Sequence, residues 1–212
     1  TIEQSCKATP NQINKEPFYI PLRLGLLNHD GEQLSLINES DEKDLAPVYD
    51  RIYPITKSRQ ELVFHNIDSK PIPSLLRNFS APVKLEYLYT QEELYFLMVH
   101  DTDGFNRWNA GQSLASQVIT SLQSGESDEI DKASAVISKA FKLILNDSLN
   151  KKEVDKAMLA HILELPTEGA LIEQAQLAVV DDIHIARESV ANFLSTDLKA
   201  DFAEVFNSNF LE

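Results

Sequence analysis

The rhythm of hydrophobic and polar positions changes once along this chain. From Phe18 onward, apolar residues recur at every second position (Ile20, Leu22, Leu24, Leu26), with Tyr19, Pro21, Arg23 and Gly25 between them. Period two predicts a strand with one buried face. The run closes on Asn28-His29-Asp30-Gly31, where Asp-Gly supplies the positive φ of a tight hairpin turn, and Leu34 and Leu36 continue as the return strand. Ile2, Gln4, Cys6 and Ala8 alternate in the same way at the start. After a looser acidic stretch from Glu39 to Asp44, the runs Glu61–Phe64, Ile72–Phe79 and Lys84–Leu88 predict further strands. Several short strands separated by turns predict an antiparallel, immunoglobulin-like β-sandwich over residues 1–89.

From Thr90 the period becomes helical. Thr90-Gln91-Glu92-Glu93 has capping-box spacing and leads into Leu94, Phe96, Leu97 and Met98. Asp103 can cap a second helix carrying Trp108, Leu114, Val118 and Leu122, with Gly111 inside it at a cost of roughly 1 kcal/mol against alanine. Close helix packing would offset that cost. A third helix can start at Asp128, with Ile130, Val136, Ile137, Phe141, Ile144 and Leu145 on one broad face. Val154–Leu163 predicts a fourth, stopped by Pro166. Thr167 can cap a short helix through Gln176, and Asp181 or Asp182 can cap Ile183–Leu194. A last helix carries Leu198, Phe202, Val205 and Phe206. Residues 90–210 therefore predict an all-α, helical-hairpin or solenoid-like segment, although no repeat period stands out. The fold class is α+β in two domains.

Proline usage supports the same division, since eight of the nine prolines precede residue 90 and only Pro166 follows it. Net charge is −14, and the helical half is the acidic one. An acidic surface offers nothing to phosphates, so neither nucleic acid nor an anionic membrane is an expected partner. No apolar run approaches the ~20 residues of a membrane span. The single cysteine, Cys6, excludes an intrachain disulfide and fits a reducing, cytoplasmic compartment; its alternating context predicts a buried structural thiol. Thr1 opens directly in a strand-like run without a signal peptide, and Leu211–Glu212 has the form of an expression-tag remnant. Both ends are expected to be cuts within a longer polypeptide.

The search for chemistry finds no active-site constellation. A zinc peptidase helix needs His-Glu-x-x-His, which sets two imidazoles on one face beside a general base. His29, His65, His100, His161 and His184 are followed by Asp, Asn, Asp, Ile and Ile, and no two lie three or four apart. There is no glycine-rich phosphate loop and no Gly-x-Ser-x-Gly elbow. His100-Asp101-Thr102-Asp103 resembles the opening of a calcium loop, but Phe105 and Gln112 fall where ligands should be, so helix capping is the preferred reading. Asp181-Asp182-Ile183-His184 is preferred as acids at a helix N-terminus rather than a metal cluster. Phe105 and Trp108 are preferred as core rather than a ligand platform. Catalytic, cofactor-binding and metal residues are all expected to be absent.

Phe79-Ser80-Ala81-Pro82-Val83-Lys84-Leu85-Glu86-Tyr87 nevertheless resembles a segment of the bacterial aminopeptidase N family. Phe96-Leu97-Met98, His100, Phe105, Arg107-Trp108, Ala110 and Gln112-Ser113-Leu114 follow at matching distance, and Ile20-Pro21-Leu22, Pro71–Leu76 and Ile162–Pro166 fit as well. The resemblance implies a zinc-dependent parent that removes N-terminal residues from peptides, with its metal ligands upstream of Thr1 and none in this segment. It implies that residues 1–89 are a small sandwich spacing the catalytic domain from a helical domain, and that 90–210 begin that helical domain, which encloses the active-site chamber. Helical acidity would then help draw in peptides with free amino termini. A solenoid cut short would expose Phe202, Val205, Phe206 and Phe210 and favour self-association. The alternative reading is a free-standing protein-binding module of sandwich plus helices.

Overall fold

The computed structural model describes residues 1–37, 46–122, 127–150, 153–175 and 177–210, without the side chains of 127–130 and 210. The acidic stretch from Glu39 to Asp44, the side chains of Asp128 and Ile130, Gln176, the Phe210 side chain and Leu211–Glu212 lie outside it. The chain divides into two compact units, Thr1–Tyr87 and Leu88–Glu212.

The first unit is antiparallel β with an Ig-like fold. Its described strands are β1 (Ile2–Glu3), β2 (Ile20–Leu27), β3 (Gln33–Leu34), β4 (Arg51–Ile55), β5 (Arg59–Gln60) and β6 (Ile72–Leu75). Strand β2 is central. Leu24 pairs with Arg51 of β4 and with Leu75 of β6, and Leu26 pairs with Leu34 of β3 and with Pro73 of β6. A residue has only two edges, so β4 and then β3 lie along one side of β2 and β6 along the other. A second ladder joins β1 to β5. The predicted alternation holds in β2: Leu22, Leu24 and Leu26 enter one core with Leu36, Tyr53, Ile55 and Leu76. The β2–β3 turn forms at the Asp-Gly step. Gly31 has φ 87°, and Asn28 Oδ1 accepts from the Asp30 and Glu32 amides at 2.9 Å each.

Gly25, on the opposite face of β2, lies under Arg77, whose side chain is 3% exposed. Asp50 takes both neighbouring arginines, with Oδ1 2.8 Å from Arg23 Nε and Oδ2 3.6 Å from Arg77 Nη1. Arg77 sits in a single 3-10 turn, Arg77–Phe79, where Leu76, Asn78 and Phe79 all have φ of 50–55°.

Several strand expectations need correction. Lys84–Leu88 is not a strand: residues 82–88 are exposed and join no ladder among the described strands. Ile72–Phe79 is strand only as far as Leu75, because the left-handed residues end the ladder. The segment predicted at Glu61–Phe64 is strand instead at Arg59–Gln60, opposite β1. Phe18 stands 53% exposed, outside the β2 core. Cys6 is exposed rather than buried. Its alternation carries no burial because β1 stops at Glu3, where the β5 register ends.

The second unit is helical, with α1 (Gln91–His100), α2 (Gly104–Leu122), α3 (Ser127–Asn150), α4 (Lys156–Ile162), α5 (Glu168–Gln174), α6 (Val180–Asp197) and α7 (Lys199–Phe210) among the described residues. Thr90 closes the full capping box with Glu93, at 3.1 Å in both directions. A Cβ on Gly111 would lie 3.3 Å from the Met98 methyl and 3.6 Å from the Ile162 carbonyl oxygen, so α1, α2 and the end of α4 meet closely there. The long helix α3 packs against α1, α2, α6 and α7. Its apolar face is the predicted one, with Ile137, Phe141, Ile144 and Leu145 buried. Helix α4 starts later than predicted because Asp155, not an earlier residue, caps it through the Met158 amide. Helix α6 starts at Val180 with Val179 at the cap position, so Asp181 and Asp182 are first-turn acids and neither is the cap. In α7, Phe202 and Val205 are half-buried and Phe206 is 64% exposed.

Candidate functional site

The amphipathic pattern of α2 has an exception. Its apolar residues Ala110, Leu114, Ala115, Val118 and Ile119 are buried among the helices. Asn109, Gln112, Ser113 and Ser116, spaced i, i+3, i+4 and i+7, form a polar stripe along the same helix. This stripe is one wall of a cleft of about 320 Å³. Glu164, Leu165 and Thr167, from the α4–α5 connection, and Ala170 and Gln174 of α5 form the opposite wall, and Trp108 adds an aromatic surface.

The sequence fixes that opposite wall by local means. Asp155 starts α4, Pro166 prevents its continuation, and Thr167 Oγ1 accepts from the Ala170 amide to start α5. The connection is then held from both sides. Gln112 Nε2 donates to the Glu164 carbonyl at 2.8 Å, and Arg187 Nε of α6 donates to the Pro166 carbonyl at 2.8 Å. His184 Nδ1 of α6 lies 2.7 Å from Glu168 Oε1 of α5. That hydrogen bond, reinforced by the Glu168 charge and by Glu188 and Asp181, raises the His184 pKa against a small opposing effect of burial.

Among the described residues, Glu164 is the one ionisable residue lining the cleft. Its carboxylate is 3.4 Å from His161 Nδ1, and both side chains are largely exposed. Ser116 is 8% exposed, lines the cleft, and has no hydrogen-bond partner for its hydroxyl among the described residues.

A second, more open cleft of about 470 Å³ between α3 and α6 is bordered by Asp131, Asn192, Phe193 and Asp197. Ser138 donates to Asp197 there. A mixed charge cluster lies where α1, α2 and α3 meet. Arg107 Nε donates to the Met98 carbonyl at 3.0 Å, and burial lowers the guanidinium pKa against the pull of Asp147 and Asp101. Burial and then the Arg107 charge lower the His100 pKa, with Asp147 opposing.

The residues singled out in the sequence do not converge. All five histidines are exposed; His100, His161 and His184 lie on α1, α4 and α6, and His29 and His65 on loops of the first unit. Asp101 and Asp103 are caps: Asp101 Oδ1 accepts from the Asp103 amide and Asp103 Oδ1 from the Asn106 amide, each at 2.9 Å. Phe105 and Trp108 rings pack at 5.7 Å, but both are only half-buried, and Trp108 faces the cleft rather than sitting in the core. Sequence reasoning missed the cleft itself. Its signal was the amide and hydroxyl stripe at helical spacing on α2.

Among the described residues, no group of three or more His, Cys, Asp or Glu side chains could hold a metal ion. No helix among the described residues is long and apolar enough to cross a membrane.

Comparison with known proteins gives the context. Residues 1–88 match the family model described as Domain of unknown function (DUF3458) Ig-like fold. Residues 91–211 match the model described as Domain of unknown function (DUF3458_C) ARM repeats. Aminopeptidase N of Escherichia coli strain K12 is 33% identical over 99% of this chain and 23% of its own length. Aminopeptidase N of Haemophilus influenzae is 34% identical over 97% of this chain and 23% of its own length. Among solved structures, Legionella pneumophila aminopeptidase A in complex with aspartic acid covers 88% of this chain at 30% identity and a TM-score of 0.68, over 20% of that chain. The chain thus spans about a quarter of the length of the curated relatives it matches. With an Ig-like unit followed by ARM-type helices, and more than half its residues matched by the helical model, the chain belongs to the DUF3458_C ARM-repeat family.

Proposed function

We propose that this chain is a non-catalytic section of a cytoplasmic, zinc-dependent aminopeptidase that removes N-terminal residues from peptides. The observation that carries the reading is one of proportion. Relatives named Aminopeptidase N match nearly all of this chain, yet the chain covers only 23% of their length. The chain itself supplies no zinc-peptidase helix, because none of its histidines is followed by glutamate. In this reading the metal and its chemistry belong to another part of the parent. The Ig-like unit spaces the catalytic domain from the helical domain, and the acidic helices contribute to the wall of the chamber. A single cysteine, exposed and unpaired with another thiol, supports the cytoplasmic assignment.

The test has two arms. The chain alone, supplemented with zinc, is expected to release no p-nitroaniline from alanine p-nitroanilide. The parent enzyme lacking these residues is expected to lose activity on that substrate or to lose its discrimination between short and long peptides. Hydrolysis by the isolated chain, or a parent indifferent to the deletion, would sink the proposal.

A further inference from the structure

We propose that the cleft between α2 and α5 is a binding site for a short peptide carrying a positive charge. This inference stands on the cleft alone and does not depend on the parent's activity. Four observations carry it. The cleft volume, about 320 Å³, falls at the lower end of the roughly 300–1,000 Å³ range of ligand pockets. Its α2 wall and Gln174 offer amides and hydroxyls, groups that both donate and accept and so match the alternating N–H and C=O of a peptide main chain. The Ser116 hydroxyl opens onto the cleft and is taken up by no described residue, so a ligand can meet it. Among the described residues no lysine or arginine lines the cleft, while Glu164 and Trp108 do. A lining with a carboxylate and an indole but no cation favours a positively charged ligand over an anion.

The walls are also built to keep their shape. Gln112 and Arg187 fix two successive parts of the α4–α5 connection through its carbonyls.

Trp108 is the sole tryptophan, so indole fluorescence reads the cleft directly. Lys-Ala-Ala titrated into the 212-residue chain is expected to give a saturable change in Trp108 emission, with Glu-Ala-Ala binding at least tenfold more weakly. Glu164→Gln is expected to weaken Lys-Ala-Ala roughly three- to tenfold, the loss of one charge-assisted contact at a partly exposed site. Ser116→Ala should weaken both peptides by a similar few-fold factor. If Ser116→Ala unfolds the helices, Asn109→Ala, at an exposed position of the same stripe, replaces it. No saturation up to about 10 mM overturns the proposal. So do equal responses to the two peptides, affinities unchanged in the Glu164 and stripe variants, or an equal response to maltose, which would make the cleft a sugar site.

Discussion

Replacing Gly25 by alanine tests how the sandwich accommodates its buried arginine. A Cβ at this position would stand 2.5 Å from Arg77 Nη1, 3.2 Å from Cζ and 3.3 Å from the Tyr49 carbonyl oxygen. The guanidinium has little freedom to move aside, because Arg77 is 3% exposed and faces Asp50 at 3.6 Å. Overpacking of this kind costs about 1–3 kcal/mol. Pushing the guanidinium off a partly exposed carboxylate costs about 1–2 kcal/mol more. Alanine recovers about 0.5–1 kcal/mol by restricting the unfolded chain, since Gly25 does not use a positive φ. The net expectation is a loss of about 1–4 kcal/mol, a fall of at least about 4 °C in the melting of a domain this size. The two units can be followed separately. Near-ultraviolet circular dichroism is dominated in the first unit by Tyr19, Tyr49, Tyr53 and Tyr87, whereas Trp108 fluorescence reports the second. The loss should appear in the tyrosine signal. In a background carrying Arg77→Met, whose thioether can fold away, Gly25→Ala should cost far less. A neutral Gly25→Ala, or an equal cost in both backgrounds, would refute the reasoning.

Other perturbations have equally direct readings. Thr90→Val removes the hydroxyl half of the capping box, leaving the backbone amide of residue 90 to Glu93, and should cost about 1 kcal/mol, visible as faster amide exchange in the first turn of α1 and nowhere else. Gly111→Leu cannot fit beside Met98 and the Ile162 carbonyl, so it should destabilise the helical unit by about 2 kcal/mol or more in urea melts followed by Trp108. The His184 pKa is raised on folding, so its pairing with Glu168 stabilises fully below the unfolded value of about 6.5 and is lost as pH rises through the folded value. His184→Gln should therefore lower the melting temperature more at pH 6 than at pH 8.5, and an equal effect at both would show that the pair contributes nothing by charge. The exposed Phe206, with Phe202 and Val205 beside it, should drive self-association at high concentration; Phe206→Ser should then restore a monomer in sedimentation velocity.

How much was legible depended on the range of the interaction. The β2 alternation, the Asp-Gly turn, the Thr90 box and the Asp103 and Thr167 caps are each decided within a few residues, and each formed as read. Lys84–Tyr87 and the run through Cys6 alternate just as well, but a strand needs a partner, and the partner's register is not written in the strand itself. Val179 rather than Asp181 opens α6 because the turn that buries Ile183 begins two positions earlier than the acids suggest. The cleft was harder still. Its two walls meet through a hydrogen bond between Gln112 and Glu164, 52 positions apart, and its residues carry amides and hydroxyls rather than the ionisable groups that motif searches weigh most.

Helix α3 bears on how the helical unit comes apart. In a strict solenoid each repeat touches only its neighbours, and the array can unravel from one end in steps. Here α3 packs against α1 and α2 on one side of the sequence and α6 and α7 on the other. Loss of the last helices strips part of α3's partners, and loss of α3 undoes the first helices as well. The unit should therefore melt in one concerted transition, and its slow folding step should be the closure of the chain between α3 and α6 rather than the formation of any one helix.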